Sequence, residues 1–243
     1  MLHRRLVPAI ARVLTLTGAA IAVAGLQNCA SYPSAARDGT LSAILSSPSR
    51  PSRSKPTASL GAILSGAPGT YIEELLEDRD STIERWPDHV VEPLRVWIDS
   101  STMLTGVQTY FPDAVRAAFA EWASTGIPLR FAFISSPRDA DIRVHWTNHL
   151  DHKTGSTTWR TDRTGWLTNG DITLATHISD GQPLDARGMR AIALHEVGHA
   201  LGLSHSADGH DIMAPLVRVD GLSIPDRNTI KLLYSFPAGG PVH

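Results

Sequence analysis

Four residues in the stretch LHEVGHALGLSHS (194–206) have the types and spacing to do chemistry: His195, Glu196, His199 and His205. Residues four apart on an α-helix lie about 40° apart around the axis and about 6 Å along it. His195 and His199 therefore present two imidazoles side by side, at a separation that one tetrahedral metal ion bridges. Glu196 is turned about 100° from His195, so it flanks such an ion without binding it. Gly202 can break the helix and turn the chain, returning His205 to the same ion. Three neutral nitrogen ligands with one open position are the arrangement of a catalytic zinc site, not of a closed structural one.

A core helix with a few tolerated polar residues is the competing reading. Ile192, Ala193, Leu194, Val197, Ala200, Leu201 and Leu203 surround the histidines, so the helix is expected to be buried. Burying two imidazoles and a carboxylate without partners costs several kcal/mol, comparable with a whole domain's stability of about 5–15 kcal/mol. A dication removes that penalty. Gly198 in mid-helix costs about 1 kcal/mol against alanine, which is easier to accept where another backbone approaches closely.

The elements that must position these residues follow from the hydrophobic periods. Asp185 is placed to cap a helix running through Met189, Ile192, Leu194 and Val197 to about Leu201, with Gly202 as its stop. YIEELLEDRDSTIERW (71–86) has helical spacing with an acidic face, and PLRVWIDS (93–100) alternates as a strand. FPDAVRAAFAEWAS (111–124) is an amphipathic helix with Val115, Ala118, Phe119 and Trp122 on one face. LRFAFISS, DIRVHW and DITLATHI read as strands, with a polar Gly/Thr-rich region between the last two. SIPDRNTIKLLYSF is a closing helix with Ser223 as N-cap and Pro225 in its first turn. Strand, helix, strands, then two helices describe an α+β domain, not an alternating βαβ fold.

The rest of the chain bounds the setting. Its 243 residues carry a net charge of −2, and Arg4, Arg5 and Arg12 stand in an acid-free start, so the remainder is more acidic still. That excludes a nucleic-acid footprint, which needs a basic face. MLHRR followed by the apolar run 13–26 reads as an export signal, and the run is too short for a membrane span. Cleavage after Ala24 fits the small-residue rule. Cys29, the one cysteine, raises a lipoprotein reading in which it is acylated, the only membrane contact expected. Leu26 suits that motif, whereas Gln27 and Asn28 do not. The expected organisation is an export or lipoprotein signal (1–29), a Ser/Pro-rich linker (30–70), a helical extension (71–92), the catalytic domain (93–238) and a tail (239–243). The exported chain is expected to act as a monomer in the periplasm, the cell envelope or the medium.

HEVGHALGLSH matches the extended zinc signature of the metzincin metalloproteases, and its context resembles the matrixin branch. Ser206 follows the third histidine, as is usual there. Met213 in DIMAP resembles the methionine turn beneath the ligands. Pro215 stands where astacin- and serralysin-like enzymes have a tyrosine. IPDRNTIKLLYS is similar to the closing matrixin helix, and ADIRVHW to the third strand. The resemblance covers residues 93–236. It implies a metzincin fold with a mixed twisted sheet, and one catalytic zinc bound by His195, His199 and His205. It makes Glu196 the general base for a zinc-activated water, Met213 a floor and not a ligand, and a peptide or protein the substrate. It also implies that the strand before the active-site helix, DITLATHI, offers its edge to extended substrate, and that Pro215, Leu216 and Val217 wall the adjacent pocket. Matrixins often hold a second zinc. His149, Asp151 and His177 fall near that spacing, but no histidine lies midway between them. A calcium site is left open, with nothing in the sequence to support one. Cys29 stands in no motif of the kind that plugs matrixin zymogens.

Two readings compete with an exported endopeptidase. One is a surface-tethered, zinc-containing protein that binds peptides and cleaves nothing. The other is a zinc hydrolase of non-protein amides. An intact Glu196 favours the endopeptidase, since a binding module needs no base beside the ion.

Overall fold

The computed structural model describes residues 25–28, 67–100, 104 and 106–236. The expected export signal, Cys29, the linker and the tail lie outside these residues, apart from 25–28 and 67–70. The elements are β1 (Gly25–Asn28), α1 (Ile72–Asp78), β2 (His89–Ile98), α2 (Phe111–Ala123), β3 (Leu129–Ile134), β4 (Ile142–Thr147), β5 (Gly155–Thr161), β6 (Leu167–Ala175), α3 (Ala186–Ala200) and α4 (Ile224–Ser235). The strands form one mixed sheet in the order β1-β5-β6-β4-β2-β3. β3, β2, β4 and β6 pair in parallel, whereas β5 is antiparallel to β6 and β1 antiparallel to β5. This is the α+β architecture expected from the element order.

The period of two decides which face of the sheet meets the helices. Leu94, Val96 and Ile98 on β2, Ile142, Val144 and Trp146 on β4, and Ile172 and Leu174 on β6 are buried. Arg95, Trp97, Arg143, His145 and Asp171 alternate with them onto the other face. There Arg95 makes an ion pair with Asp141 at 2.8 Å and Arg143 one with Asp171 at 3.6 Å. On the core side α2 packs against α3, and α3 against β5 and β6. Phe111, Phe119 and Trp122 of α2 are fully buried, and each such aromatic contributes about 2–3 kcal/mol of apolar burial.

Both capping expectations hold. The Asp185 side chain accepts from the Gly188 N–H at 2.7 Å. Ser223 and Asp226 form a reciprocal capping box on α4. Gly202 ends α3 at φ +105°, a conformation side-chain-bearing residues avoid.

Three expectations are corrected. The helix read over 71–86 stops at Asp78 because Asp80 and Ser81 turn left-handed, at φ 47° and 61°. Ile83 and Trp86 then reach the core from non-helical chain. Residues 71–92 are thus a short helix, a turn and the start of β2. The polar region before DITLATHI contains β5, whose threonines fit a half-buried pleat. Finally, DITLATHI has no free edge. It belongs to β6, which is paired with β4 on one side and β5 on the other. The edge next to α3 belongs to β5, and the Gly25–Asn28 main chain pairs along it.

Candidate metal centre

Helix α3 is held by aromatic side chains that donate to its carbonyls. The Trp122 indole N–H reaches Leu194 O at 2.9 Å. Trp86 donates to Ala200 O at 2.7 Å and Tyr234 to Leu201 O at 2.9 Å, both in the terminal turn, where helical carbonyls lack partners within the helix. Side chains, not the expected backbone, stand nearest Gly198. A Cβ there would collide with Met213 Sδ and Trp122 Cζ2. The glycine is the notch into which Met213, itself fully buried, is pressed between the turns that carry His195 and His199.

His195, His199 and His205 converge, with one ligand nitrogen from each lying within 4.8 Å of the others. His195 and His199 come from one face of α3, and His205 from the loop after Gly202. The Nδ1 of His195 lies 2.7 Å from Ile212 O, and that of His199 lies 2.8 Å from Leu203 O. A carbonyl only accepts, so each Nδ1 carries the proton and each Nε2 a lone pair. The two Nε2 atoms are 3.0 Å apart. Two lone pairs at that distance repel unless a cation lies between them. His205 Nε2 is buried and has no hydrogen-bond partner among the described residues. Burial pushes the pKa of all three rings down, His195 to about 3. The rings are therefore neutral, as metal ligands must be. This donor set fits a tetrahedral N-ligated cation such as zinc.

Glu196 is fully buried on the flank of α3 that meets β5. The Thr157 hydroxyl lies 2.6 Å from its Oε2 and 3.1 Å from its main-chain oxygen. Thr157 was not legible as a site residue, because a threonine in a polar stretch has no telling spacing to the histidines.

The loop bearing Met213 is tied to α4 by buried acids. Asp211 accepts from Ser206 Oγ at 2.5 Å and from Ser223 Oγ at 2.6 Å. Asp226 Oδ2 accepts from the Ile212 N–H at 2.9 Å, and the Ser206 N–H donates to Met213 O at 2.9 Å. Ile212, whose carbonyl orients His195, is thus fixed from both sides of its peptide unit. Asp226 is a second residue that motif reading missed, although its place three residues after an N-cap serine is a capping signal.

His149 and His177 come together, their ring centroids 5.3 Å apart. Asp151 does not complete a three-ligand group with them among the described residues. His152 and His210 are exposed, and His210 pairs with Asp208 at 2.8 Å. No helix of the described residues is long and apolar enough to cross a membrane.

Comparison with known proteins extends this picture. The matrixin family profile matches residues 96–235. The chain is 29% identical to Homo sapiens matrix metalloproteinase-15 over 149 residues, covering 53% of this chain and 22% of that one. It is 28% identical to metalloendoproteinase 1 of Glycine max over 145 residues, 51% of this chain and 45% of that one. With a probable matrix metalloproteinase of Invertebrate iridescent virus 3 it shares 31% over 135 residues, 48% of this chain and 36% of the viral one. The chain spans less than half the length of each of these relatives.

Proposed function

Since the chain belongs to the matrixin family, we propose that it is an exported zinc-dependent endopeptidase. His195, His199 and His205 hold the ion. Bound zinc supplies a Lewis acid that activates water and polarises the scissile carbonyl. Glu196 takes the proton of the attacking water and passes it to the leaving amine. Thr157 steadies the Glu196 carboxylate from behind. Met213 is the floor that keeps the two helical histidines in register. Of the three residues expected to wall the neighbouring pocket, Pro215 and Leu216 reach the surface and remain available for that role, whereas Val217 is fully buried and does not. An extended peptide adds to the outer edge of β5, the one taken here by Gly25–Asn28, by main-chain pairing. The basic, acid-free start and the apolar run behind it support export.

The 3.0 Å approach of the His195 and His199 Nε2 atoms carries the metal assignment, because the Nδ1 contacts leave both nitrogens as acceptors. The test is metal analysis of the purified full chain, paired with digestion of casein and of a peptide library. One zinc per chain and cleavage lost to a chelator are expected. A zinc-loaded chain that leaves both substrates intact would contradict the endopeptidase reading and favour the peptide-binding one.

A further inference from the structure

We propose that α1 is a brace for the metal centre, whose two end residues, Tyr71 and Arg79, steady Ile212 and Leu203, the residues whose carbonyls orient His195 and His199, Tyr71 through the Asp226 carboxylate and Arg79 directly. The inference rests on the zinc assignment above. It concerns a helix that precedes the family-matched segment, which begins at residue 96.

Tyr71 is the N-cap of α1 and Arg79 its C-cap. From Tyr71 the path runs through one carboxylate. The phenol donates to Asp226 Oδ1 at 3.0 Å, Asp226 Oδ2 accepts from the Ile212 N–H at 2.9 Å, and Ile212 O accepts from His195 Nδ1 at 2.7 Å. The Tyr71 N–H also donates to Thr229 Oγ1 at 3.0 Å, which pins the helix start to α4. From Arg79 the path is shorter. Its Nη2 lies 3.4 Å from Leu203 O, the same oxygen that accepts from His199 Nδ1 at 2.8 Å. Arg79 is kept in place by Glu84, with Nη1 to Oε2 at 3.3 Å, and by the Trp159 ring 5.0 Å below it. Trp159 in turn donates to Glu84 Oε2 at 2.8 Å.

Attachment of α1 does not need these polar ends. Ile72, Leu75 and Leu76 are buried along its length and supply the packing. A buried guanidinium is a poor choice for stability alone, because desolvation consumes most of what its ion pair returns. The Arg79 side chain is only 5% exposed, yet it is aimed at the carbonyl behind a ligand. In metal sites the partner of the non-ligating ring nitrogen sets ring orientation, and losing it weakens metal binding about 10–100-fold. Tyr71 and Arg79 are positioning residues: they touch neither ion nor substrate, Arg79 acting one hydrogen bond beyond the ligand's carbonyl partner and Tyr71 through Asp226.

The experiment compares zinc affinity, measured by competition with a chromophoric chelator, and the absorption spectrum of the cobalt-substituted full chain. Tyr71→Phe, Arg79→Met, Arg79→Lys and Leu75→Ala are assayed at a temperature where circular dichroism shows each folded. Tyr71→Phe and Arg79→Met are expected to weaken zinc about tenfold and to shift the cobalt bands, with Arg79→Lys intermediate. Leu75→Ala, which removes packing but no hydrogen bond, lowers the melting temperature and leaves affinity and spectrum unchanged. Wild-type affinity and spectrum in Tyr71→Phe overturn the brace even if the arginine variants do not fold. Weakening by Leu75→Ala equal to that by Tyr71→Phe overturns it as well. A wild-type chain that binds no zinc defeats the zinc assignment itself, a distinct result.

Discussion

The Thr157 hydroxyl sits 2.6 Å from the Glu196 carboxylate, and both side chains are fully shielded from solvent. A hydrogen bond to a charged group is worth about 1.5–3 kcal/mol. Thr157→Val keeps the shape and removes the donor, so kcat is expected to fall about tenfold with zinc content unchanged. Thr157→Ser should retain most of the activity. Steady-state kinetics beside metal analysis decide the matter, and an unaltered kcat in Thr157→Val would deny Thr157 any part in placing the base.

Glu196→Ala separates metal binding from proton transfer. The three histidines are untouched, so one zinc per chain is expected to remain, while casein cleavage falls by about 10²–10⁴-fold, the usual worth of a positioned base. Loss of zinc in this variant would mean that Glu196 supports the ion directly and not the reaction alone.

Zinc removal should be visible in stability. An ion that binds only the folded chain adds about 4 kcal/mol at a thousandfold excess over its Kd. At about 2–4 °C per kcal/mol for a domain of this size, chelation is expected to lower the melting temperature by about 10 °C, and added zinc to restore it. A melting curve indifferent to the chelator would speak against the three-histidine cluster as a zinc site of the native fold.

Gly198→Ala sets two effects against each other. Helix propensity favours alanine by about 1 kcal/mol. The new methyl group meets Met213 and Trp122, and overpacking of that kind costs about 1–3 kcal/mol. Net destabilisation is therefore expected in thermal unfolding. The loss should be smaller when Gly198→Ala is combined with Met213→Ala than the two single losses added, because the two sites share one cavity. A Gly198→Ala chain more stable than wild type would refute the notch.

Much of the centre could be read in one dimension because its parts are local. The i, i+4 histidines, the glycine stop and the serine and aspartate caps each depend on neighbours a turn away, and they stand where the spacing puts them. Illegible residues were those joined only by the fold. Thr157 meets Glu196 across 39 positions, and Tyr71 meets Asp226 across 155. Period-two alternation tells which face a strand residue takes, but it says nothing about which strands lie beside it. The sequence alone points to the strand before α3 as the edge, whereas β6 is paired on both sides and the edge next to α3 belongs to β5. The helix over 71–86 failed for another reason: its apolar residues keep helical spacing past a turn at Asp80 and Ser81 that breaks the helix.

If the chain is exported as proposed, the pairing of Gly25–Asn28 with β5 would link its maturation to its chemistry. Processing after Ala24 would make those four residues the new amino terminus, so the protein would keep an intrinsic occupant of the edge where a peptide would lie. Processing before Cys29 would discard them and take that occupant away. The enzyme that trims the leader would then also set how much of the cleft is open, and the mass of the mature amino terminus distinguishes the two forms.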